Sequence, residues 1–270
     1  MRPIAKFYTA LLFLFLFAPI LIMLVFSFNG GNSLSVLDGF SLYWYKELFH
    51  DEDTLGALGN TLILALCAAL LSTLMGTAAA VGMNKLRSKY MKAAMNTVTN
   101  LPMVNPEIIT GISLMLMFVF FGRLIGMRTS LNFGTMLIAH ITFCLPYVIL
   151  QVLPKLRQMD RNLVDAAMDL GCTWMQAFWK VIIPEIKPGI VSGALTAFTM
   201  SIDDFVISYF TAGSSSSTLA MTIYGMTKKK VTPEINAIST LLFVTVLVLL
   251  AVINVREARQ ERKLAAEQRR

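Results

Sequence analysis

Six stretches of this chain, about 7–28, 58–83, 99–121, 132–153, 188–211 and 236–255, are long enough to cross a bilayer as helix, and none contains a lysine or arginine. A hydrocarbon core of roughly 30 Å takes about 20 apolar residues in helical form. Inside lipid every backbone N–H and C=O must find its partner within the segment or in a closed barrel, so such runs read as helices. The expected fold is an all-α integral membrane protein with six transmembrane helices, and residues 1–270 read as one transmembrane domain. Composition agrees, because 56% hydrophobic against 14% charged residues leaves too little polar surface for a soluble globule.

The net charge of +7 would suggest nucleic acid in a soluble protein, but its placement points to the membrane. With the N-terminus inside, seventeen lysines and arginines fall on cytoplasmic segments and six on outer ones. The positive-inside rule then puts both termini in the cytoplasm. The first run is too long for the apolar core of a secretory signal and lacks a small-x-small cleavage site after it, so it reads as a retained first helix. Three cysteines without C-x-x-C spacing give no disulfide framework or zinc site. His50 and His140 lie far apart in sequence and give no metal or nucleophile/base pair.

The segment between the first two spans, 29–57, opens with Gly30, Gly31 and Asn32 and carries Tyr43, Trp44 and Tyr45, which favour headgroup depth in an interfacial helix. A second outer segment, 212–235, begins with Gly213 and four serines and ends at Pro233 and Glu234. No internal repeat is evident, which disfavours an inverted-repeat secondary transporter.

The inner loop 155–187 is the cytoplasmic segment with room for its own structure. Leu163–Gly171 is helix-forming and more apolar than a free loop should be; Gly171 suits a helix end at positive φ, and Thr173 suits the cap of a second helix bearing Trp174, Ala177, Phe178 and Val181. Pro184 is expected to stop that second helix before the fifth span. Asp165-Ala166-Ala167, then Gly171 and, further on, Val181-Ile-Ile183-Pro184, resemble the "EAA" loop of ATP-binding-cassette importer permeases, with Asp in place of Glu. The resemblance implies a MetI-like type I importer permease core, in which Asp165, Ala166, Ala167, Gly171 and Pro184 take the push of a partner ATPase. The chain has no G-x-x-x-x-G-K-[ST] loop. It is therefore expected to hold no cofactor itself, ATP and Mg being bound by the ATPase.

Three carboxylates, Glu107, Asp203 and Asp204, lie inside the spans with no basic residue there to neutralise them. Each costs on the order of 2.5–3.5 kcal/mol at the centre of a membrane helix, so each needs a reason. Counted at 1.5 Å per residue from entry points near 99 and 188, Glu107 stands ~12 Å deep and the Asp pair ~23 Å, an acidic track at two depths that suits an extended polycation. The same groups could instead cap a break in span five, or satisfy backbone freed by Pro102 and Pro106. Trp44 could meet an ammonium group or belong to the interfacial belt.

Ser201-Ile-Asp-Asp-Phe-Val-Ile-Ser208 with Thr222-Ile-Tyr224 and the following residues to Asn236 is similar to the spermidine/putrescine permeases of the same superfamily. That likeness implies a polyamine substrate, a bacterial cytoplasmic membrane location, a related partner permease, two ATPase subunits and an extracytoplasmic binding protein. It also implies that Glu107, Asp203, Asp204 and Trp44 lie along the substrate path. The Lys228-Lys229-Lys230 run is expected to face water or the binding protein. A permease for a quaternary amine, an amino acid or ferric ion, a gated channel, and an intramembrane enzyme are the alternatives. The enzyme would need a partner for His140.

Overall fold

The computed structural model describes residues 3–31, 36–126, 131–160, 162–214, 216–229 and 233–267. Asn32, Arg128, Arg161, Ser215 and Lys230 lie outside the described residues. Among those described the chain is helical, with one isolated bridge between Asn29 and Phe40. Among the described residues five helical stretches are long and apolar enough to cross a membrane: Phe7–Phe26, Glu52–Lys85, Glu107–Leu124, Phe133–Gln158 and Trp174–Asp203. The sixth expected span falls within a helix that runs Glu234–Glu267.

The chain divides into two compact units. The first, Met1–Gly56 with Thr222–Arg270, holds α1 (Pro3–Phe26), the short α2 (Tyr43–Leu48), the start of α3 (Glu52–Lys85), most of α11 (Leu219–Lys229), and α12 (Glu234–Glu267). In it the Ser27 and Tyr45 hydroxyls meet at 2.8 Å and Phe28 stacks on Phe40, which folds the segment after α1 back on itself. The outer helix expected there is only six residues long and turns Trp44 and Leu48 inward, leaving Tyr43 exposed.

The second unit, Ala57–Met221, contains most of α3 together with α4 (Lys89–Val104), α5 (Glu107–Leu124), α6 (Phe133–Gln158), α7 (Asn162–Asp169), α8 (Trp174–Ala177), α9 (Ile183–Asp203) and α10 (Val206–Thr211). Its backbone is the antiparallel pair α6 and α9. Lipid supplies no hydrophobic drive between helices, so the pair relies on close packing of small residues. Gly189, Gly193, Ala197 and Ser201 recur every fourth position on one stripe of α9. A Cβ at Gly189 would stand 2.9 Å from the Gln151 carbonyl, and one at Gly193 3.2 Å from Val148 Cγ1. Further along, Cys144 Sγ donates to the Ala197 carbonyl at 3.4 Å and His140 meets Ser201. Val148 also closes on α3, where a Cβ at Gly76 would come within 2.7 Å of its Cγ1.

Two of the expected span limits differ. The third run, 99–121, is split by extended backbone at Asn105 and Pro106, so residues 99–104 end α4 and the crossing helix starts at Glu107. Pro106 has no N–H to continue the ladder, and its ring pushes Asn105 out of helical geometry. The fifth run does not start afresh after Pro184 either. Helix continues from Trp174 to Asp203 through a π turn at Phe178–Ile182. A proline ring would clash with the carbonyl four residues back, and the wider turn just before Pro184 accommodates it. Pro184 thus sits in the first turn of α9 instead of ending α8.

Candidate functional site

The span-five break begins where α9 ends. Asp204 is extended (ψ 122°), Phe205 turns back, and α10 starts at Val206. Sequence placed Asp203 and Asp204 together, but the structure separates their surroundings. Asp204 is buried, and its carboxylate accepts the backbone N–H groups of Ile207 at 3.2 Å and Ser208 at 2.8 Å, the donors that a new helix start leaves unpaired. Asp203, the adjacent residue, is exposed. Asp204 therefore has the capping role, and Asp203 is the carboxylate of the pair that stays open.

His140, on α6, spans this break. Its Nδ1 lies 2.8 Å from Ser201 Oγ on the last turn of α9, its Nε2 lies 2.9 Å from Ser208 Oγ on α10, and Nε2 is 3.5 Å from Asp204 Oδ2. All four residues are buried. Sequence reading left His140 alone because its partners are 61 and 68 positions away. The available signal was the i, i+7 pair of serines flanking two aspartates on a span antiparallel to that of His140.

Glu107 is exposed in the first turn of α5, just past the Asn105–Pro106 break. The N-terminal end of a helix favours a negative charge, while the last carbonyls of α4 lack intrahelical partners. Close packing of α10 on α5 brings the two breaks near each other: a Cβ at Gly111 would lie 3.0 Å from Phe210 Cδ2 and 3.6 Å from Ile207 Cα. Successive crossings alternate in direction, so α5 and α10 run the same way. Glu107, about 6 Å before Gly111, thus lies near the level of the span-five break. The expected separation into two depths is corrected: α4 begins at Lys89, ten residues ahead of the entry point assumed for the third span.

Trp44 is buried, with its ring edge-on to Tyr43 at 5.1 Å, and its indole N–H has no acceptor among the described residues. Trp44 belongs to the first unit, and Glu107, Asp203 and Asp204 to the second. Lys228 is exposed, with its ammonium 4.7 Å over the Tyr224 ring.

The loop 155–187 forms an elbow. Asp165, Ala166 and Ala167 belong to α7, which ends in a left-handed glycine: Gly171 has φ +87°. The Cys172 N–H reaches the Ala167 carbonyl at 3.1 Å and the Gly171 N–H the Met168 carbonyl at 2.9 Å. These paired bonds are a Schellman cap, which explains why alanine and glycine are spaced by four. Thr173 then opens α8 with a reciprocal box: its N–H donates to Gln176 Oε1 at 2.9 Å and its Oγ accepts the Gln176 N–H at 3.4 Å. Lys85, at the end of α3, holds its ammonium 3.4 Å from the Trp174 ring centre. Leu170 is 87% exposed and Trp179 62%, an apolar cost in water that a docking partner would relieve.

These features define a multi-pass helical membrane protein whose fifth span is interrupted and which carries a rigid helical elbow between spans four and five. The chain belongs to the family of binding-protein-dependent transport system inner membrane components, whose profile matches residues 72–265. It is 40% identical over 233 residues to the putrescine transport system permease protein PotI of Escherichia coli K12, covering 85% of this chain and 82% of that one. It is 35% identical over 243 residues to the spermidine/putrescine transport system permease protein PotC of the same strain, covering 90% and 89%. Among solved structures, a bacterial ABC transporter that imports the acidic polysaccharide alginate superposes with a TM-score of 0.71 at 19% identity, over 93% of this chain and 92% of that one. An amino acid ABC transporter superposes at 0.58 and 19% identity, covering 80% and 98%. At those identities the likeness establishes the fold. The chain is a non-catalytic membrane component of an ABC transport system, with the MetI-like permease fold.

Proposed function

We propose that this chain is a permease subunit of an ATP-driven importer that carries polyamines into the cytoplasm. The observation that carries the reading is the exposure of Glu107 and Asp203 at two helix breaks, near one level, within the apolar runs 99–121 and 188–211, which hold no lysine or arginine. An exposed carboxylate in a membrane-crossing segment is costly unless a cation visits it. Breaks also free carbonyl groups at the ends of α4 and α9, which favour positive charge. The relatives' names, putrescine for one and spermidine/putrescine for the other, support the same substrate class. Asp204 serves the path through its cap, and Trp44 is assigned to the outer approach.

In this reading the whole chain acts as one permease domain beside a related permease subunit, with two ATPase subunits that bind ATP and Mg, and an extracytoplasmic binding protein that delivers the polyamine. The 17-to-6 division of basic residues supports cytoplasmic termini in a bacterial cytoplasmic membrane. The elbow around Gly171, with Asp165 to Ala167 on one arm and the other arm continuing through Pro184 into α9, passes ATPase closure to that helix as a rigid-body movement. Polyamine release requires several weak carboxylate contacts in preference to one deep site.

The test is ATP-dependent uptake of labelled spermidine and putrescine by cells lacking their own polyamine uptake and expressing the full four-component system. Asp203→Asn and Asp204→Asn are compared separately at matched membrane levels. Uptake by the parent with loss in Asp203→Asn supports the reading. Uptake by the parent that Asp203→Asn leaves intact removes Asp203 from the path, and absence of uptake in the parent moves the substrate to another class.

A further inference from the structure

We infer that His140 is a positioning residue for translocation: it clamps the two halves of span five across their break and thereby keeps Asp204 turned inward and Asp203 turned out. This rests on the reading of Asp203 as the path-facing carboxylate.

The hydrogen-bond directions follow from the donors available. Asp204 Oδ2 already accepts the Ser208 N–H at 2.8 Å, and Ser208 Oγ lies 3.3 Å from the Asp204 carbonyl, to which it donates. With its proton spent there, Ser208 Oγ is the acceptor for His140 Nε2–H at 2.9 Å. The other nitrogen, Nδ1, then accepts from Ser201 Oγ at 2.8 Å. A neutral imidazole with its proton on Nε2 satisfies both serines in this way, one nitrogen on each side of the break. Only Asp204 and Phe205 join α9 to α10, so the covalent link alone leaves two dihedral pairs to fix the angle between the halves.

His140 supplies the missing constraint from a third element. Its own helix is anchored against α9 by the Gly189–Gly193–Ala197 stripe and against the end of α10 by Thr135, whose hydroxyl donates to the Thr211 carbonyl at 2.9 Å. The ring therefore stands on a rigid support, which a positioning group needs. Asp203 is the last helical residue of α9 and Asp204 the extended residue after it, so the chain turns between them. Fixing Asp204 toward the Ile207 and Ser208 N–H groups holds that turn, at which Asp203 stays exposed. A phenylalanine at 140 would preserve the bulk but leave both serine hydroxyls without their ring partner. A glutamine offers one donor and one acceptor and could rejoin them.

The experiment follows the side chain at 203 directly. Asp203→Cys is introduced into the complete transporter in proteoliposomes and labelled with a cationic methanethiosulfonate, with and without spermidine. The extent at position 203 is read by mass spectrometry of its peptide, which separates it from Cys67, Cys144 and Cys172. The same measurement is made with His140→Phe and His140→Gln added. The expected result is spermidine-protected labelling with His140, slowed about tenfold with Phe, the scale of one buried hydrogen-bonded contact, and restored to within about threefold with Gln. Labelling protected by spermidine yet unchanged in the Phe variant overturns the clamp and leaves the path intact. Position 203 refractory to the reagent, or labelled without spermidine protection, in the His140 parent overturns the path reading and the clamp with it.

Discussion

Replacing Gly171 isolates the mechanical step in a way that few substitutions do. The glycine sits at φ +87°, a region where an L side chain costs about 1–2 kcal/mol, and an added Cβ there meets nothing within 4 Å. Sterics with the rest of the chain therefore add no term, and the whole effect falls on the elbow's backbone. A penalty of ~1–2 kcal/mol shifts the population of the bent elbow by roughly five- to thirtyfold, too little to unfold the protein but enough to weaken a rigid connection. Asparagine tolerates this conformation better than alanine, and a β-branched residue tolerates it least. The expected order of spermidine transported per ATP hydrolysed is glycine, then asparagine, alanine and valine, at equal membrane levels and with basal ATPase retained. The assay is simultaneous uptake and phosphate release in proteoliposomes. Alanine matching glycine, or asparagine and alanine equally impaired, would refute the argument that the positive φ carries the coupling.

Four other outcomes are expected. Gly76→Ala pushes a methyl against Val148 at 2.7 Å, so it should lower thermal stability in detergent by roughly 1–3 kcal/mol, and Val148→Ala in the same chain should recover part of the loss. Asp204→Ala leaves the Ile207 and Ser208 N–H groups without their acceptor and should cost about 1–3 kcal/mol in the same assay, whereas Asp204→Asn, itself a competent cap, should cost less. Asp203→Asn should leave the melting temperature unchanged while raising the half-saturating polyamine concentration. Lys85→Gln removes the ammonium over Trp174, and faster amide exchange over residues 174–182 should report a local loss of about 0.5–1 kcal/mol.

The elbow could be read from sequence because its signals are local. Ala167 and Gly171 are the two ends of one Schellman cap, and Thr173 and Gln176 form one capping box, each within a single turn of chain. The continuation through Pro184 was missed because a π turn depends on the carbonyl geometry that precedes the proline. For Trp44 the sequence leaves an ammonium contact and the interfacial belt both open, and what the structure adds is that a six-residue helix turns its ring inward.

What the sequence determined by itself is the class of fold. Lysine-free apolar runs of about 20 residues have only one way to satisfy their backbone in lipid. What only the tertiary structure decided is the division of labour among the carboxylates. Asp203 and Asp204 are chemically identical neighbours. Only the break between α9 and α10, held by a histidine more than 60 positions away, makes one a buried cap and leaves the other exposed. The level of Glu107 likewise followed from a glycine contact between α5 and α10, because depth along a broken helix cannot be counted from its residue numbers.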